Sequence, residues 1–96
     1  MSEFQLLSAA KIKGMLEQRN LWSGMHSSKF LAVEQNKAPA KISSGGTSYI
    51  ISYYDEHSQY ICTIHRILSK KGELIHEHVK DAIIDGVRYK AKAERK

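Results

Sequence analysis

The segments that most constrain the fold are short runs of β-branched and aromatic residues in the second half of the chain. "TSYIISYY" and "QYICTIHRIL" are separated by the turn sequence "DEHS", and "SKKGE" separates the second run from "LIHEHV". Such runs favour strands, and short polar turns favour antiparallel pairing of neighbours. Asp85-Gly86 lies between apolar residues in "IIDGVRY", the strongest short hairpin signal. The second half therefore predicts an antiparallel meander that ends in a tight hairpin.

The N-terminal segment predicts one helix over residues 3–19, which would cover this meander. Ser2 and Gln5 have capping-box spacing, and Ser8 is an alternative start. Apolar residues recur at helical spacing, namely Leu6, Ala9, Ile12 and Leu16.

The middle of the chain predicts one further strand, "SKFLAVEQ" at 28–35, and a flexible connector at 36–48. The connector contains the chain's only proline and a Gly-Gly pair. Residues 1–96 have the length of a single domain. We expect an α+β fold with the N-terminal helix packed on the antiparallel meander. A small bent barrel of SH3-like or Sm-like shape, with an N-terminal helix, is the alternative.

The charge of the chain is basic and uneven. Fifteen Lys and Arg against ten Asp and Glu give a net charge of +5. Residues 88–96 carry five of those cations and one acid, and we treat 91–96 as a basic tail. Such segments attract phosphates or acidic protein surfaces.

Cysteine content and hydropathy limit the compartment. Cys62 is the only cysteine, so no intrachain disulfide forms. "MSEFQLLSAA" lacks the basic start and apolar run of a signal peptide, and no apolar stretch approaches the roughly 18 residues of a membrane span. We expect a cytoplasmic protein with no membrane association and no cofactor.

Two histidines in "LIHEHVKD" raise the question of a functional site. His76 and His78 are two residues apart, so they project from one face of a strand and Glu77 from the other. A three-residue turn in "SKKG", with Gly72 in the left-handed conformation, fixes the register. The predicted pairs are Arg66–His76, Ile64–His78 and His65–Glu77.

A four-residue "DEHS" turn would likewise pair Tyr54 with Gln59, which assigns side chains to the two faces of the sheet. The first predicted face carries Tyr49, Tyr53, Tyr60, Cys62, Ile64, Arg66, His76 and His78. The second carries Ile50, Ser52, Thr63, His65, Ile67, Glu77 and Val79.

Three hypotheses account for the histidines. A metal site would use His76 and His78, with Cys62 as a third ligand. A metal-independent, toxin-like ribonuclease would use the same histidines as acid and base and Arg66 to hold the phosphate. The third hypothesis is structural, in which they form ordinary cross-strand polar pairs. The sequence favours the structural hypothesis, since His-x-His occurs readily by chance in a chain with five histidines.

The charge and the aromatic residues favour a binding module over an enzyme. We expect the protein to bind nucleic acid, RNA first, or another polyanion. The residues predicted to contact it are Tyr49, Tyr53, Tyr60, Arg66, Lys80, Arg88, Lys90 and Lys92. The alternative is a protein-binding accessory or inhibitor of the anti-defence or toxin–antitoxin type, which would contact an acidic protein surface or extend a partner's sheet. An exposed edge strand would also permit oligomerisation.

Overall fold

A computed structural model describes residues 3–27, 29–42 and 44–92. Its elements are β1 (Gln5–Leu7), α1 (Ala9–Gln18), α2 (Leu21–Met25), β2 (Leu31–Pro39), β3 (Thr47–Tyr54), β4 (Tyr60–Leu68), β5 (Leu74–Ile84) and β6 (Val87–Ala91). The strands form one sheet in the order β1-β6-β5-β4-β3-β2. Because β1 and β2 lie at opposite edges, the sheet is open and does not close into the alternative barrel. The predicted α+β fold, a helix on an antiparallel meander, is confirmed.

The N-terminal helix begins later than predicted. Ser8 is its cap, and the Ser8 hydroxyl accepts a hydrogen bond from the Lys11 backbone N–H at 3.1 Å. Residues 5–7 instead form β1, which pairs in parallel with β6. A helix beginning at residue 3 is therefore wrong, because these residues gain a partner strand that local sequence does not reveal. Ser2 lies outside the described residues.

The helices cover one face of the sheet. Ile12 and Leu16 of α1 are fully buried, and Met25 of α2 and Phe30 join them. Their partners on the sheet are Tyr53, Cys62, Ile64, Val79, Ala82 and Ile84. We call this side the helix-covered face. The other side carries Ser48, Ser52, Thr63, His65, His76 and His78, and we call it the open face.

Strand β2 extends further than predicted. It continues to Pro39, through the first four residues of the segment read as a connector, and pairs with β3 across a bulge between Glu34 and Asn36. Most of its residues are exposed, because it has a partner strand on one side only.

Two of the three predicted turns form as expected. Asp85 and Gly86 have φ of 52° and 81°, the left-handed pair of a type I′ hairpin. In "SKKG", the Ser69 N–H donates to the Glu73 carbonyl at 2.7 Å, and Gly72 has φ 86°. This second turn has the predicted three residues.

The "DEHS" turn is one residue shorter than predicted. The Asp55 N–H donates to the Gln59 carbonyl at 2.9 Å, so Asp55 pairs with Gln59 and leaves three residues in the loop. The Asp55 carboxylate accepts from the N–H groups of His57 and Gln59, and these bonds lower the pKa of that carboxyl. Ser58 takes the left-handed position at φ 63°. The predicted Tyr54–Gln59 pair is therefore wrong.

A bulge in β5 changes the register around the histidines. Leu68 pairs with Leu74 but Ile67 pairs with His76, so Ile75 is an extra residue on β5. Beyond the bulge, the three predicted pairs are wrong by one residue. The observed pairs are His65–His78, Arg66–Glu77 and Ile64–Val79.

Within the described ranges no helix is long and apolar enough to cross a membrane. The predicted basic tail is described only as far as Lys92, and its last four residues lie outside the described residues.

Candidate functional site

Three histidines meet on the open face. The register shift places His65 of β4 directly opposite His78 of β5, with His76 two residues further along. His76 Nε2 and His78 Nδ1 are 2.6 Å apart, so one nitrogen donates a hydrogen bond to the other. The ring centroids of His65 lie 5.2 Å from His78 and 6.0 Å from His76. One nitrogen from each ring lies within 4.8 Å of the others, so the three rings form a cluster.

His65 is oriented from the neighbouring strand. Ser48 of β3 places its hydroxyl 2.7 Å from His65 Nε2, which fixes the imidazole from the side away from β5. Partial burial lowers the pKa of His65, and the nearby His76 and Lys80 lower it further because they disfavour a second positive charge. The neutral imidazole is therefore favoured at this position, and a neutral ring has a nitrogen lone pair.

Cys62 does not join this cluster. It is fully buried on the helix-covered face, where its thiol contacts Met25 Sδ at 3.0 Å. The sheet separates Cys62 from His76 and His78, so the ligand set predicted from sequence does not assemble. The third histidine of the cluster is His65, which the predicted register places on the face opposite His76 and His78.

Arg66 also lies away from the histidines. Its Nε donates to Glu77 Oε2 at 2.7 Å on the helix-covered face, and its Nη2 donates to the Tyr53 hydroxyl at 3.2 Å. These bonds raise the pKa of Arg66 against the effect of its partial burial. The constellation proposed for a ribonuclease, with Arg66 holding a phosphate between His76 and His78, therefore does not form.

A second polar group on the open face links β4, β5 and β6. The Tyr60 hydroxyl donates to Asp81 Oδ1 at 3.0 Å and contacts the Thr63 hydroxyl, which in turn is 2.9 Å from the Ser52 hydroxyl. Arg88 donates to Asp81 Oδ2 through Nε and Nη2, at 3.1 and 2.9 Å. Burial raises the pKa of Tyr60, so this phenol stays protonated.

Within the six strands, positive charge exceeds negative charge on the open face. Lys80, Arg88 and Lys90 lie there around Asp81: Arg88 donates to its carboxylate, Lys90 is its cross-strand partner and Lys80 precedes it in β5. Within the six strands, Asp81 is the single carboxylate on this face, because Glu34 and Glu77 belong to the other. Three fixed positive charges therefore stand against one negative charge, and that one is already paired with Arg88.

The residues predicted to bind nucleic acid are divided between the faces. Tyr60, Lys80, Arg88 and Lys90 lie on the open face. Tyr49, Tyr53 and Arg66 lie on the helix-covered face, where Tyr53 is buried. Lys92 follows β6, and its backbone N–H donates to the Leu7 carbonyl at 2.8 Å.

The chain stands apart in comparisons with known proteins. No known protein family matches it, and no curated protein or solved structure is significantly similar. Function must therefore be argued from the side chains.

Ser48 and Phe4 of the open face have no functional role in the sequence-based predictions. His65 is predicted on the second face, and the Ile75 bulge brings His76 and His78 to that side of the sheet, where Ser48 also lies. Phe4 falls within the predicted helix, but it precedes β1 and is 47% exposed, with Lys90 Nζ 4.6 Å from its ring centroid. No local signal in the sequence identifies the Ile75 bulge.

Proposed function

We propose that the protein binds nucleic acid, RNA in particular, on the open face of its sheet and does so without catalysis. The observation that carries the proposal is the separation of charge between the two faces. Lys80, Arg88 and Lys90 share the open face with one paired carboxylate. A phosphate backbone is attracted by such a surface irrespective of base sequence.

Aromatic side chains at the margin of this face support single-stranded nucleic acid. Phe4 is exposed beside Lys90, and Tyr60 and Tyr54 contact each other edge-to-face at 5.8 Å. Bases stack on exposed rings, and a nearby cation strengthens the contact. Tyr49 and Tyr53 face the helices and are not part of this proposal.

Binding ranks above cleavage because the phosphate-holding group of the predicted ribonuclease is elsewhere. Arg66 is bonded to Glu77 and Tyr53 on the other side of the sheet. His76 and His78 contact each other at 2.6 Å, whereas an acid and a base that cleave RNA act on different oxygens of the phosphate.

Nucleic acid also ranks above a protein partner that extends the sheet. The exposed edge strand β2 carries a bulge after Glu34, and Lys37 and Pro39 follow it. Bulges, lysines and prolines are the features by which edge strands resist pairing with another chain. The opposite edge, β1, has only three residues. Both edges are therefore poor templates for a partner strand or a second copy.

The test is a titration of RNA and DNA oligonucleotides of mixed sequence, followed by fluorescence anisotropy from about 50 mM salt upwards. We expect single-stranded RNA to bind, and affinity to fall steeply with salt. The Lys80→Ala/Lys90→Ala double variant should weaken binding to every sequence and reduce the salt slope by about 2, one unit for each lost phosphate contact.

The matched control is Lys11→Ala/Lys71→Ala, which removes the same charge from exposed positions outside the open face. This control should retain the slope of the wild-type protein. Undetectable affinity at about 50 mM salt, or an equal loss in both double variants, would exclude the open face as a nucleic-acid site. RNA cleavage that is lost in the His78→Ala variant would replace binding with the ribonuclease hypothesis.

A further inference from the structure

The histidine cluster has a property that binding of phosphates does not require. His65, His76 and His78 bring three imidazoles together on two adjacent strands, with one nitrogen of each within 4.8 Å of the others. In the described part of the chain this group contains no carboxylate, and the Ser48 hydroxyl contacts His65. We propose that these three histidines bind a transition-metal ion, with Zn²⁺ as the representative.

The distances fit a tetrahedral site after small rotations of the rings. Zn–N bonds of about 2.0–2.1 Å place two nitrogens of a tetrahedral site about 3.4 Å apart. His76 Nε2 and His78 Nδ1, now 2.6 Å apart, must separate slightly, and the His65 nitrogen, within 4.8 Å of the others, must approach by at most about 1.4 Å.

The backbone already holds the three side chains in place. His65 and His78 are cross-strand partners, and His76 projects from the same face of β5 two residues away. The Ser48 hydroxyl restrains the His65 ring. Sites on strands are ordered before the ion arrives, so less conformational entropy is lost on binding.

The ligand set selects the class of ion. Three imidazoles without a carboxylate suit Zn²⁺, Cu²⁺, Ni²⁺ or Co²⁺, whereas Mg²⁺ and Ca²⁺ require oxygen ligands. Three protein ligands leave the fourth position of a tetrahedral ion for water or another ligand. The histidines are half-buried and face the uncovered side of the sheet, so that position is accessible to solvent.

The inference does not rest on the proposed function, because metal binding is measured without nucleic acid. Tag-free, full-length protein is stripped with chelator, and Zn²⁺ is added in competition with a chromogenic chelator of known affinity. We expect one Zn²⁺ per chain. His65→Ala, His76→Ala and His78→Ala should each weaken binding by at least about tenfold, since loss of even an outer partner of a metal ligand costs that much.

The matched control is His57→Ala, which removes an exposed histidine from the β3–β4 turn. It should bind Zn²⁺ as the wild-type protein does. Saturation with Zn²⁺ should raise the melting temperature of the wild type and of this control, and not that of the three cluster variants.

A measurement on the unmodified chain guards against variants that fail to fold. Zn²⁺ should shift the imidazole ¹⁵N signals of three histidines and leave those of His26 and His57 unchanged, and Co²⁺ should give the visible absorption of a tetrahedral ion. The proposal is overturned if no stoichiometric binding occurs, if His57→Ala loses binding, or if the shifted signals belong to residues outside the cluster.

Discussion

The two faces of the sheet are built from the same strands but differ in what holds them together. On the helix-covered face, Cys62, Ile64 and Val79 are almost completely buried beneath the helices. On the open face, the corresponding positions hold hydroxyls and imidazoles linked by hydrogen bonds. Apolar burial contributes most of the stability of a domain this small, so the stability is concentrated on the first face.

The two faces also differ in how they use the same three types of side chain. Each face has an arginine, a carboxylate and a tyrosine: Arg66, Glu77 and Tyr53 on the helix-covered face, and Arg88, Asp81 and Tyr60 on the open face. The Arg66 side chain is 21% exposed and the Arg88 side chain 39%. Arg66 therefore serves internal packing, whereas Arg88 still presents part of its guanidinium to a ligand.

The largest difference in stability should come from replacing one isoleucine on each face with alanine. Ile64→Ala removes a fully buried side chain from beneath the helices and should lower the free energy of unfolding by about 2–5 kcal/mol. Ile83→Ala, at a position 37% exposed on β5, should cost about 1 kcal/mol or less. Urea unfolding followed by circular dichroism gives both values. Equal losses would contradict the unequal division of stability between the faces.

A smaller effect is expected where the helices approach the core. Gly24 lies in α2, and a Cβ there would be 2.4 Å from Cε2 of the buried Phe30 ring. Gly24→Ala should therefore destabilise the protein by about 1–3 kcal/mol. Gly14→Ala in α1 is the matched control, because a Cβ there meets nothing within 4 Å. It should stabilise the protein by about 0.5–1 kcal/mol through helix propensity. Thermal unfolding of both variants distinguishes a packing constraint from a general effect of glycine.

The hairpins show how much of the fold local sequence can predict. Asp85-Gly86 and Gly72 form the turns expected of them, because a left-handed conformation favours those residue types regardless of what lies beyond. β1 was not predictable in this way. Residues 5–7 have a helical pattern of their own, and only the free edge of β6 converts them to a strand.

The candidate site shows where such prediction ends. His76 and His78 were recognised as a pair from their spacing alone, but the third histidine depended on the pairing register. One extra residue at Ile75 exchanges the faces of residues 76–79 relative to the predicted register, and a second extra residue, Lys80, reverses this exchange from Asp81 onward. The Ile75 bulge belongs to the pairing of two strands, so neither strand's sequence records it. The amino-acid composition shows that the chain is basic. Only the pairing register of the strands shows which charged side chains lie on each face of the sheet.

The smallest effect is expected at the Cys62 thiol on the helix-covered face, which should not react while the protein is folded. Burial, together with the nearby Asp81 and Glu77 carboxylates, which disfavour a second negative charge, raises the pKa of Cys62 to about 12. At pH 8 about one molecule in ten thousand would carry the thiolate, which is the reactive form. Native protein should therefore resist an aromatic disulfide reagent, and unfolding in urea should release one thiol per chain. The Lys80→Cys variant places a thiol at an exposed position of the open face and should react at once with one equivalent. Rapid labelling of wild-type Cys62 would show that the helices often separate from the sheet. The two faces would then differ less in stability than the packing indicates.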